Sequence, residues 1–306
     1  MHAGTQANAG EADEFNRYSR IQVSPIAGPI GAEVQCGDVK ALDDEAVAEI
    51  RRAWLDHLVI LIRGQQLDHE EQMSFSGRFG PLQKSASIPI GQKPRFNPFV
   101  VVISNVLEDG VPVGSLGDGE ALWHTDMSNT EIPPCASILY ALEVPPTGGE
   151  TGFLNMYHAL ETLPPELRSR VDGLTIRHDG KFNSAGTVRN LAASTSHPIV
   201  RTHPETKRNA LYLGRRPHAA VNGLPDDESE MLLGALWAHA TRPQFAWHHR
   251  WEAGDILMWD NRCAMHHRNA FDPRERRLMH RNTVVGTRPV TEPHSLLSSH
   301  PRSGLA

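Results

Sequence analysis

The apolar residues of this chain are gathered in short runs that Pro and Gly separate, and this pattern limits the fold more than any other feature. Runs such as 58–62, 100–103 and 136–144 have the length of strands and end near turn-forming residues. Strands and helices do not alternate regularly, and no Gly-rich phosphate-binding motif is present, so a doubly wound parallel sheet is not expected. The pattern predicts a mainly β fold with flanking helices (α+β), arranged as a jelly-roll barrel.

The other predicted elements follow from periodicity and from capping residues. Helices are predicted from Asp43 or Asp44 onward, at 68–79, at 156–163, after Pro165 and at 226–239. Further strands are predicted at 123–128, 199–203, 210–214, 245–251, 255–259 and 277–285. Residues 106–120 combine glycines with acidic residues and are predicted to form a loop.

The length of 306 residues is compatible with one domain, because all-β barrels often reach this size and no internal repeat or central linker is visible. We expect a single jelly-roll domain at 19–290, with lid insertions at about 84–121 and 177–197 that cover the site. Residues 1–18 are expected to be disordered, and 291–306 are expected to form a C-terminal tail.

Charge and composition limit the partners. The formal net charge is −6, which gives no basic field for a nucleic-acid backbone. No apolar run approaches the roughly 20 residues needed to span a bilayer, and the N-terminal residues do not resemble a secretory signal. The three cysteines, Cys36, Cys135 and Cys263, are far apart and predict reduced thiols. We therefore expect a cytoplasmic protein that binds neither nucleic acid nor membrane.

A short motif predicts part of a metal site. Side chains alternate along a strand, so His124 and Asp126 of Trp123-His124-Thr125-Asp126 should point to one side. An imidazole and a carboxylate are two of the three ligands in the two-His, one-carboxylate site of non-haem iron(II) oxygenases. The chain has 17 histidines, and a His-x-Asp sequence occurs often by chance, so this motif alone favours a structural role over a metal site.

Two arginines could bind an anionic co-substrate. Arg277 and Arg281 are four residues apart in a predicted strand and should share a face, and a guanidinium binds a carboxylate bidentately. Such a cation could hold the far carboxylate of 2-oxoglutarate. The alternative is a surface cluster formed with the neighbouring Arg274 and Arg276.

Together these motifs resemble those of the taurine dioxygenase and chlorophenoxyacetate dioxygenase family. The resemblance runs from about Val23 to Gly286, in matching order and spacing. The segments that carry it are Arg78-Phe79-Gly80-Pro81-Leu82, Trp123-His124-Thr125-Asp126, Thr147-Gly148-Gly149-Glu150-Thr151, Val200-Arg201-Thr202-His203-Pro204, Trp259-Asp260-Asn261-Arg262 with His266, and Arg277-Leu278-Met279-His280-Arg281.

The resemblance implies a double-stranded β-helix (jelly roll, cupin-like) and a set of site residues. Iron(II) would be bound by His124, Asp126 and His266, with His266 selected over the adjacent His267 by the family spacing. The 2-oxoglutarate contacts would be Arg277, Thr151 and, as an alternative to its substrate role, Arg281. The candidates for substrate binding are Arg281 and Asn105, and those for orienting the metal ligands are Asp260 and Asn261.

One segment departs from the taurine enzyme. Gln83-Lys84-Ser85 stands where that enzyme has a His-x-His sequence that helps to hold the sulfonate. Taurine is therefore not the expected substrate. Lys84 could serve another anion or could be a solvated loop lysine.

The implied reaction uses Fe(II), 2-oxoglutarate and O2 to hydroxylate, or otherwise oxidise, an aliphatic C–H bond of a small anionic substrate, with release of succinate and CO2. An alternative outcome is cleavage of a sulfonate, an alkyl sulfate or an aryloxyalkanoate through hydroxylation next to the heteroatom. Two further hypotheses are a non-oxidative jelly-roll metalloprotein and a zinc hydrolase on the same ligands. A homo-oligomer (dimer or tetramer) is also expected.

Overall fold

A computed structural model describes residues 17–84, 97–181, 188 and 194–292. The disorder predicted for residues 1–16, much of the loops predicted at 84–98 and 177–197, and the tail from 293 onward lie outside these residues.

The elements of the described residues are labelled here in chain order. The helices are α1 (Asp44–His57), α2 (His69–Gly77), α3 (Met156–Glu161), α4 (Pro165–Val171) and α5 (Asp226–Ala240). The first strands are β1 (Gln22–Pro25), β2 (Ala32–Gln35), β3 (Val59–Ile62), β4 (Val101–Ser104), β5 (Leu107–Glu108), β6 (Val111–Pro112), β7 (Ser115–Leu116), β8 (Ala121–His124), β9 (Ala136–Glu143) and β10 (Thr151–Asn155). The later strands are β11 (Thr175–His178), β12 (Thr195–Pro198), β13 (Val200–Thr202), β14 (Asn209–Leu211), β15 (Ala220–Val221), β16 (Ala246–His249), β17 (Ile256–Asp260), β18 (Ala264–Arg268) and β19 (Leu278–Val284).

An eight-stranded sheet forms one side of the fold, in the order β1-β2-β3-β17-β9-β19-β4-β7. Its central strands are apolar on both faces because both faces are covered. Residues on the outer face, such as Ile60, Ile138 and Met258, pack with Ile50 and Trp54 of α1 in one apolar cluster. The alternate residues of the same strands turn inward, as the two-residue period of a strand requires.

A four-stranded sheet, β16-β10-β18-β8, packs on the inner face of the large sheet. The ring centroids of Phe153 on β10 and Trp259 on β17 are 5.5 Å apart across the interface. Inward residues of both sheets, among them Leu139, Phe153 and Trp259, belong to one buried apolar cluster. Two facing, mainly antiparallel sheets of this kind confirm the predicted double-stranded β-helix.

The predicted helix starts are confirmed with their capping residues. The Asp43 carboxylate accepts a hydrogen bond from the backbone N–H of Ala46 at 2.8 Å, and α1 begins at Asp44. Asp68 and Glu71 form a reciprocal capping box at the start of α2. Both helices lie where the apolar periodicity predicted them, although α2 ends at Gly77 rather than at Phe79.

The structure differs from the sequence prediction in several places, among them the strands β1, β2, β11, β12 and β15, which were not predicted. The segment 106–120, predicted to be a loop, contains the short strands β5, β6 and β7. The strands β10 and β18 were not predicted, because Thr151-Gly152 and His266-His267-Arg268 are not apolar runs. The strand predicted at 123–128 ends at His124, and a turn follows it.

Two smaller sheets complete the described part of the fold: β12-β11-β15 and the hairpin β13-β14. The loop predicted at 177–197 therefore begins in β11 and ends in β12. None of the helices in the described ranges combines the length and the apolar character needed to cross a membrane, and the longest, α5, has 15 residues.

Candidate active site

Three buried side chains meet between the two main sheets. His124 lies at the end of β8, Asp126 follows two residues later, and His266 lies on β18, directly opposite His124 in the strand register. The potential ligand atoms of the three residues lie within 4.8 Å of one another. The Nε2 atoms of His124 and His266 lie 3.7 and 3.9 Å from the Asp126 carboxylate oxygens, too far for hydrogen bonds. Two imidazoles and a carboxylate at these distances form a donor set that a divalent transition metal can join.

Asp126 reaches this position from a turn, whereas strand alternation predicted that it would lie on the same strand as His124. The Thr125 backbone N–H donates to the carbonyl oxygen of Gly214 at 3.0 Å, which fixes the chain just after β8. Met127 then adopts a positive φ of 48°, and the chain turns. The two side chains converge as predicted, although the reason is the turn geometry and not strand alternation.

The orientation of the two histidines is set by their neighbours. The Nδ1 atom of His124 lies 2.7 Å from the carbonyl oxygen of Leu122, so Nδ1 carries the proton and Nε2 presents its lone pair to the site. His267, the alternative ligand considered beside His266, points to the opposite side of the sheet. Its Nε2 atom lies 2.9 Å from Nε2 of His248, and its ring packs on Trp123 with centroids 4.0 Å apart.

A chain of hydrogen bonds holds the Asp126 carboxylate. The Ser137 hydroxyl donates to Oδ2 of Asp126 at 2.8 Å, and the Asn261 amide donates to the same hydroxyl oxygen at 2.9 Å. The Trp259 indole N–H donates to the Asn261 carbonyl at 3.0 Å. Asn261 therefore orients a candidate ligand through Ser137, whereas Asp260 points elsewhere and pairs with Arg262.

Burial and charge shift the ionisation of these groups. Burial opposes the charge on Asp126, but the positive charge of Arg281 outweighs it and holds the pKa of this carboxyl well below its usual value. Burial lowers the pKa of His124, and burial together with the neighbouring His124 lowers the pKa of His266 well below its usual value. The site therefore offers a carboxylate and two neutral imidazoles, which are the forms that bind a metal.

A small cavity opens beside the three side chains. Apolar residues form part of its wall, and the polar part includes Thr151 and three arginines; the lining residues are Ile103, Ala121, His124, Leu139, Thr151, Trp259, His266, Arg268, Arg277 and Arg281. His124 and His266 thus line the same cavity as the two arginines predicted from the sequence.

Arg277 is the most deeply buried of these cations, with 2% of its surface exposed. Among the described residues its Nε and one terminal nitrogen have no hydrogen-bond partner, and it makes no ion pair. Burial, with a smaller contribution from Arg268, lowers the pKa of Arg277 to about 9. A buried guanidinium with free donors is a site for an anion, since an unpaired buried charge is costly.

Thr151 lies close to Arg277 at the start of β10. The Trp251 indole N–H donates to its hydroxyl oxygen at 2.9 Å, which leaves the hydroxyl proton available to another acceptor. The preceding turn requires glycines: Gly149 has a φ of 70°, and a Cβ atom there would lie 3.5 Å from Nε of Arg277. The Thr-Gly-Gly motif thus brings the backbone close to Arg277.

Arg281 and Asn105 have contacts that the sequence did not reveal. The Nη1 atom of Arg281 donates to both Asp126 carboxylate oxygens, at 3.0 and 3.1 Å, while the side chain also lines the cavity. The Asn105 carbonyl accepts from the backbone N–H of Arg277 at 3.0 Å, and its amide donates to the Glu275 carbonyl at 2.8 Å. Asn105 therefore positions the backbone of Arg277, and its direct contact with substrate stays a prediction.

Arg268 is a cavity residue that sequence reasoning missed. It follows His266 by two positions on β18 and so faces the same side, opposite Thr151 and Ala121 in the register. It donates to the carbonyl oxygen of Gly119. The two-residue spacing from His266 could have revealed it if β18 had been recognised as a strand.

Lys84, the other open candidate, lies outside the lining of this cavity. Its Nζ atom is 5.9 Å from the ring centroid of Phe99. This contact favours neither a substrate role nor a purely solvated side chain.

Comparisons with known proteins agree with the geometry. Residues 22–283 match the taurine catabolism dioxygenase TauD, TfdA family. The chain is 36% identical over 285 residues to the alpha-ketoglutarate-dependent 2,4-dichlorophenoxyacetate dioxygenase of Cupriavidus pinatubonensis, covering 87% of this chain and 98% of that one. It is 34% identical to the pentalenolactone F synthase of Streptomyces arenae, covering 85% and 93% of the two chains.

A solved structure shows the same fold. The structure of a taurine dioxygenase from Burkholderia xenovorans superposes with a TM-score of 0.75 at 38% identity, covering 89% of this chain and 91% of that one. The family match spans most of the described residues, including both metal-site segments and the two predicted arginines. The protein therefore belongs to the taurine catabolism dioxygenase TauD, TfdA family, as its motifs predicted.

Proposed function

We propose that this protein is an Fe(II)- and 2-oxoglutarate-dependent dioxygenase that hydroxylates, or otherwise oxidises, an aliphatic C–H bond of a small organic anion. The observation that carries the proposal is the convergence of His124, Asp126 and His266 beside a cavity that both histidines line together with the buried guanidinium of Arg277. Membership of the family and the alpha-ketoglutarate dependence of a relative support the same reaction class.

The residues fit the metal that this reaction needs. Nε2 of His124, Nε2 of His266 and the Asp126 carboxylate would hold Fe(II), with the remaining positions open to 2-oxoglutarate and O2. When bound, these groups supply the oxidant for the C–H bond, and succinate and CO2 are released. Ser137 and Asn261 fix the carboxylate, and the carbonyl of Leu122 fixes the tautomer of His124.

The arginine end of the cavity suits the far carboxylate of 2-oxoglutarate. Arg277 offers a preorganised fork of donors, and Thr151 has a hydroxyl proton to donate. Arg268 adds a second positive charge nearby, as its effect on the pKa of Arg277 indicates. A carboxylate placed among these groups would satisfy the free donors and balance the buried charge.

Arg281 is the candidate for the anionic end of the substrate. It lines the cavity next to Asp126, so an anion held by Arg281 would bring the adjacent carbon atoms close to the metal ligands. The apolar wall formed by Ile103, Leu139 and Trp259 would pack on the carbon skeleton and exclude water.

A specific relative favours cleavage next to a heteroatom as a second outcome. The Cupriavidus enzyme is named for 2,4-dichlorophenoxyacetate, an aryloxyalkanoate. Hydroxylation of the carbon between the ether oxygen and the carboxylate of such a substrate yields an unstable hemiacetal that releases a phenol. The same residues serve either outcome, because the position of the substrate carbon decides the product.

A panel of small anions tests the proposal. The purified protein is incubated under air with Fe(II), 2-oxoglutarate and single carboxylates, sulfonates, alkyl sulfates or aryloxyalkanoates, and succinate is measured against oxidised product. Succinate formed in proportion to oxidised product is the expected result. If no succinate forms with any substrate and Fe(II) with 2-oxoglutarate gives no visible absorption band without air, the oxygenase function is wrong. A non-oxidative metalloprotein or a zinc hydrolase would give this negative result.

The same basis supports several wider predictions. The three thiols are free, which agrees with a cytoplasmic enzyme. The net charge of −6 argues against nucleic acid as a partner.

The segment 106–121 contributes Ala121 to the cavity wall, and the Gly119 carbonyl accepts a hydrogen bond from Arg268, which supports a role of this segment in covering the site. A homodimer or homotetramer stays a prediction, and sedimentation equilibrium tests it.

A further inference from the structure

A cluster of buried polar side chains lies outside the cavity, and we call it the polar cluster: His178, His197, Arg201 and Tyr212. His178 and His197 come from the sheet β12-β11-β15, Arg201 lies on β13, and Tyr212 follows β14. Tyr212 is the common neighbour: its ring centroid lies 5.8 Å from each imidazole centroid and 5.1 Å from the Arg201 guanidinium carbon.

The polar cluster concentrates unsatisfied atoms. Within the described part of the chain, buried atoms without a hydrogen-bond partner include both ring nitrogens of His178, Nδ1 of His197, the Tyr212 hydroxyl, and Nε and Nη1 of Arg201. Most buried polar atoms in native proteins are paired, so several unpaired atoms around one tyrosine indicate a bound species.

The charge of Arg201 decides what kind of species this is. Its side chain is 1% exposed, and its Nη2 atom donates a long hydrogen bond of 3.4 Å to the carbonyl oxygen of Thr287. It makes no ion pair with any acid of the described residues. The residues outside the described ranges contain only three Asp or Glu, all among the first 16 residues of the chain.

Among the described residues, the groups next to Tyr212 add no unpaired negative charge. Asp126 is the acid whose field reaches Tyr212, and it is already paired with Arg281 at 3.0 Å. Burial lowers the pKa of His178 to about 3 and also lowers the pKa of His197, so both imidazoles are neutral. Burial raises the pKa of Tyr212 to about 12, so the phenol keeps its proton. Water could satisfy the free donors, but it could not balance the guanidinium charge.

We propose that the polar cluster binds a small inorganic monovalent anion of the halide class, held by the Arg201 guanidinium and the Tyr212 hydroxyl. A neutral His178 can donate a third hydrogen bond from one of its ring nitrogens. His197 is not a donor to the anion, because its Nε2 already donates to the carbonyl oxygen of Thr130 at 2.8 Å and its Nδ1 is then an acceptor.

The site lies behind the turn that carries Asp126. Thr130, the partner of His197, belongs to this turn, and the chain after Tyr212 supplies Gly214, whose carbonyl accepts the Thr125 N–H. A bound anion would therefore fix the two strand ends that support the candidate metal site, and it would act as a structural ion.

Chloride dependence of stability tests the proposal. The thermal midpoint of the full chain is measured in potassium gluconate and in potassium chloride at equal ionic strength, with and without added Mn(II). The wild type is expected to show a saturable rise with chloride, and bromide should have the same effect. The rise should appear in both metal states, which separates this site from anion binding at a metal. An equal midpoint in gluconate and in chloride would overturn the proposal.

Two variants and a control assign the effect to the polar cluster. Arg201→Gln should abolish the chloride response, and Tyr212→Phe should raise the half-saturating chloride concentration roughly tenfold, as expected for losing one hydrogen bond to an ion. Arg208→Gln, on the same hairpin but paired with Glu161 at the surface, should respond like the wild type. If Arg201→Gln does not fold, Tyr212→Phe still decides. A Tyr212→Phe variant with the wild-type chloride response would contradict the proposal.

Crystals grown with bromide locate the anion directly. The expected result is an anomalous difference peak in hydrogen-bond contact with Arg201 and Tyr212. An anomalous map without a peak there, with only water between these side chains, would show that the proposal is wrong.

Discussion

Two buried groups in the described residues hold potential metal ligands within 4.8 Å of one another, and they differ in how far their ligand atoms are already hydrogen-bonded. The first is the candidate active site with His124, Asp126 and His266. The second, which we call the closed group, contains His203, Asp260 and Cys263. Burial and proximity are the same in both, and each group has a histidine and an aspartate, so these features alone do not define a metal site.

An arginine binds the carboxylate in both groups, and the difference lies in whether an imidazole is already hydrogen-bonded to that carboxylate. In the closed group, Arg262 donates to the two Asp260 oxygens at 2.8 and 2.7 Å, and His203 Nε2 lies 3.0 Å from the same carboxylate. Arg262 also pairs with Glu205, which in turn pairs with Arg51. The closed group is therefore a complete hydrogen-bonded ion network.

The candidate active site is left open by comparison. Its two imidazole Nε2 atoms lie 3.7 and 3.9 Å from the Asp126 carboxylate, which is too far for a hydrogen bond. Their lone pairs therefore remain available to a metal ion. The thiol of the closed group is also unsuitable, because burial and the nearby Asp260 raise the pKa of Cys263 well above its usual value. A functional cluster is thus recognised by unused bonding capacity.

The largest expected effect separates the two groups by metal binding. Asp126→Ala should reduce Mn(II) or Fe(II) affinity by more than about 100-fold and abolish turnover, because a ligand is lost rather than an outer partner. The fold should persist, since the apolar core between the sheets does not depend on Asp126. Isothermal titration with Mn(II) and circular dichroism measure both. His203→Gln is the control and should keep full metal affinity. Unchanged metal binding in Asp126→Ala would mean that the candidate active site does not bind the metal.

The next effect concerns stability in the closed group. Asp260→Asn should lower the free energy of unfolding by about 3–5 kcal/mol, because Arg262 would remain buried without its carboxylate. Urea denaturation measures this loss, and metal affinity should not change. Asp272→Asn breaks an exposed pair with Arg274 and should have little effect. Equal stabilities for Asp260→Asn and the wild type would mean that the network is not a structural unit.

A smaller effect tests the role of Arg277, whose side-chain donors are not all used. Arg277→Gln should weaken 2-oxoglutarate binding by roughly 30–100-fold, the equivalent of about 2–3 kcal/mol for hydrogen bonds to a charged group, while metal affinity stays the same. Calorimetric titration of the Mn(II)-loaded protein measures it. Arg276→Gln removes the neighbouring exposed guanidinium, which pairs with Glu143, and is the matched control. An unchanged 2-oxoglutarate affinity in Arg277→Gln would transfer the role to Arg281.

The smallest effect is a pH dependence. Burial opposes the charge of Asp260, but Arg262 and His203 more than offset it and lower the pKa of this carboxyl. A depressed folded-state pKa stabilises the fold above the unfolded-state value of about 3.9 and loses this contribution below it. The stability difference between the wild type and Asp260→Asn should therefore be constant from about pH 8 to pH 5 and shrink below about pH 4. Denaturant titrations across this range would refute the assignment if the difference changed near neutral pH.

The sequence predicted most of the fold because its central strands are apolar runs and its first helices carry capping residues. It missed β10 and β18, whose residues are buried by the sheets on either side rather than by their own hydrophobicity. The metal-site residues could be predicted because two of them are close in sequence and the third lies in a long motif. The hydrogen bond from Trp251 to Thr151 joins residues 100 positions apart, so no local sequence pattern predicts it.

The central claim is that His124, Asp126 and His266 form the metal site, and a crystal structure of the Mn(II)-loaded protein with 2-oxoglutarate tests it most directly. The account predicts one anomalous metal peak about 2.1 Å from the two Nε2 atoms and from an Asp126 oxygen, with the far carboxylate of 2-oxoglutarate on Arg277. A metal bound instead by the closed group, or a 2-oxoglutarate that leaves Arg277 without a partner, would contradict it.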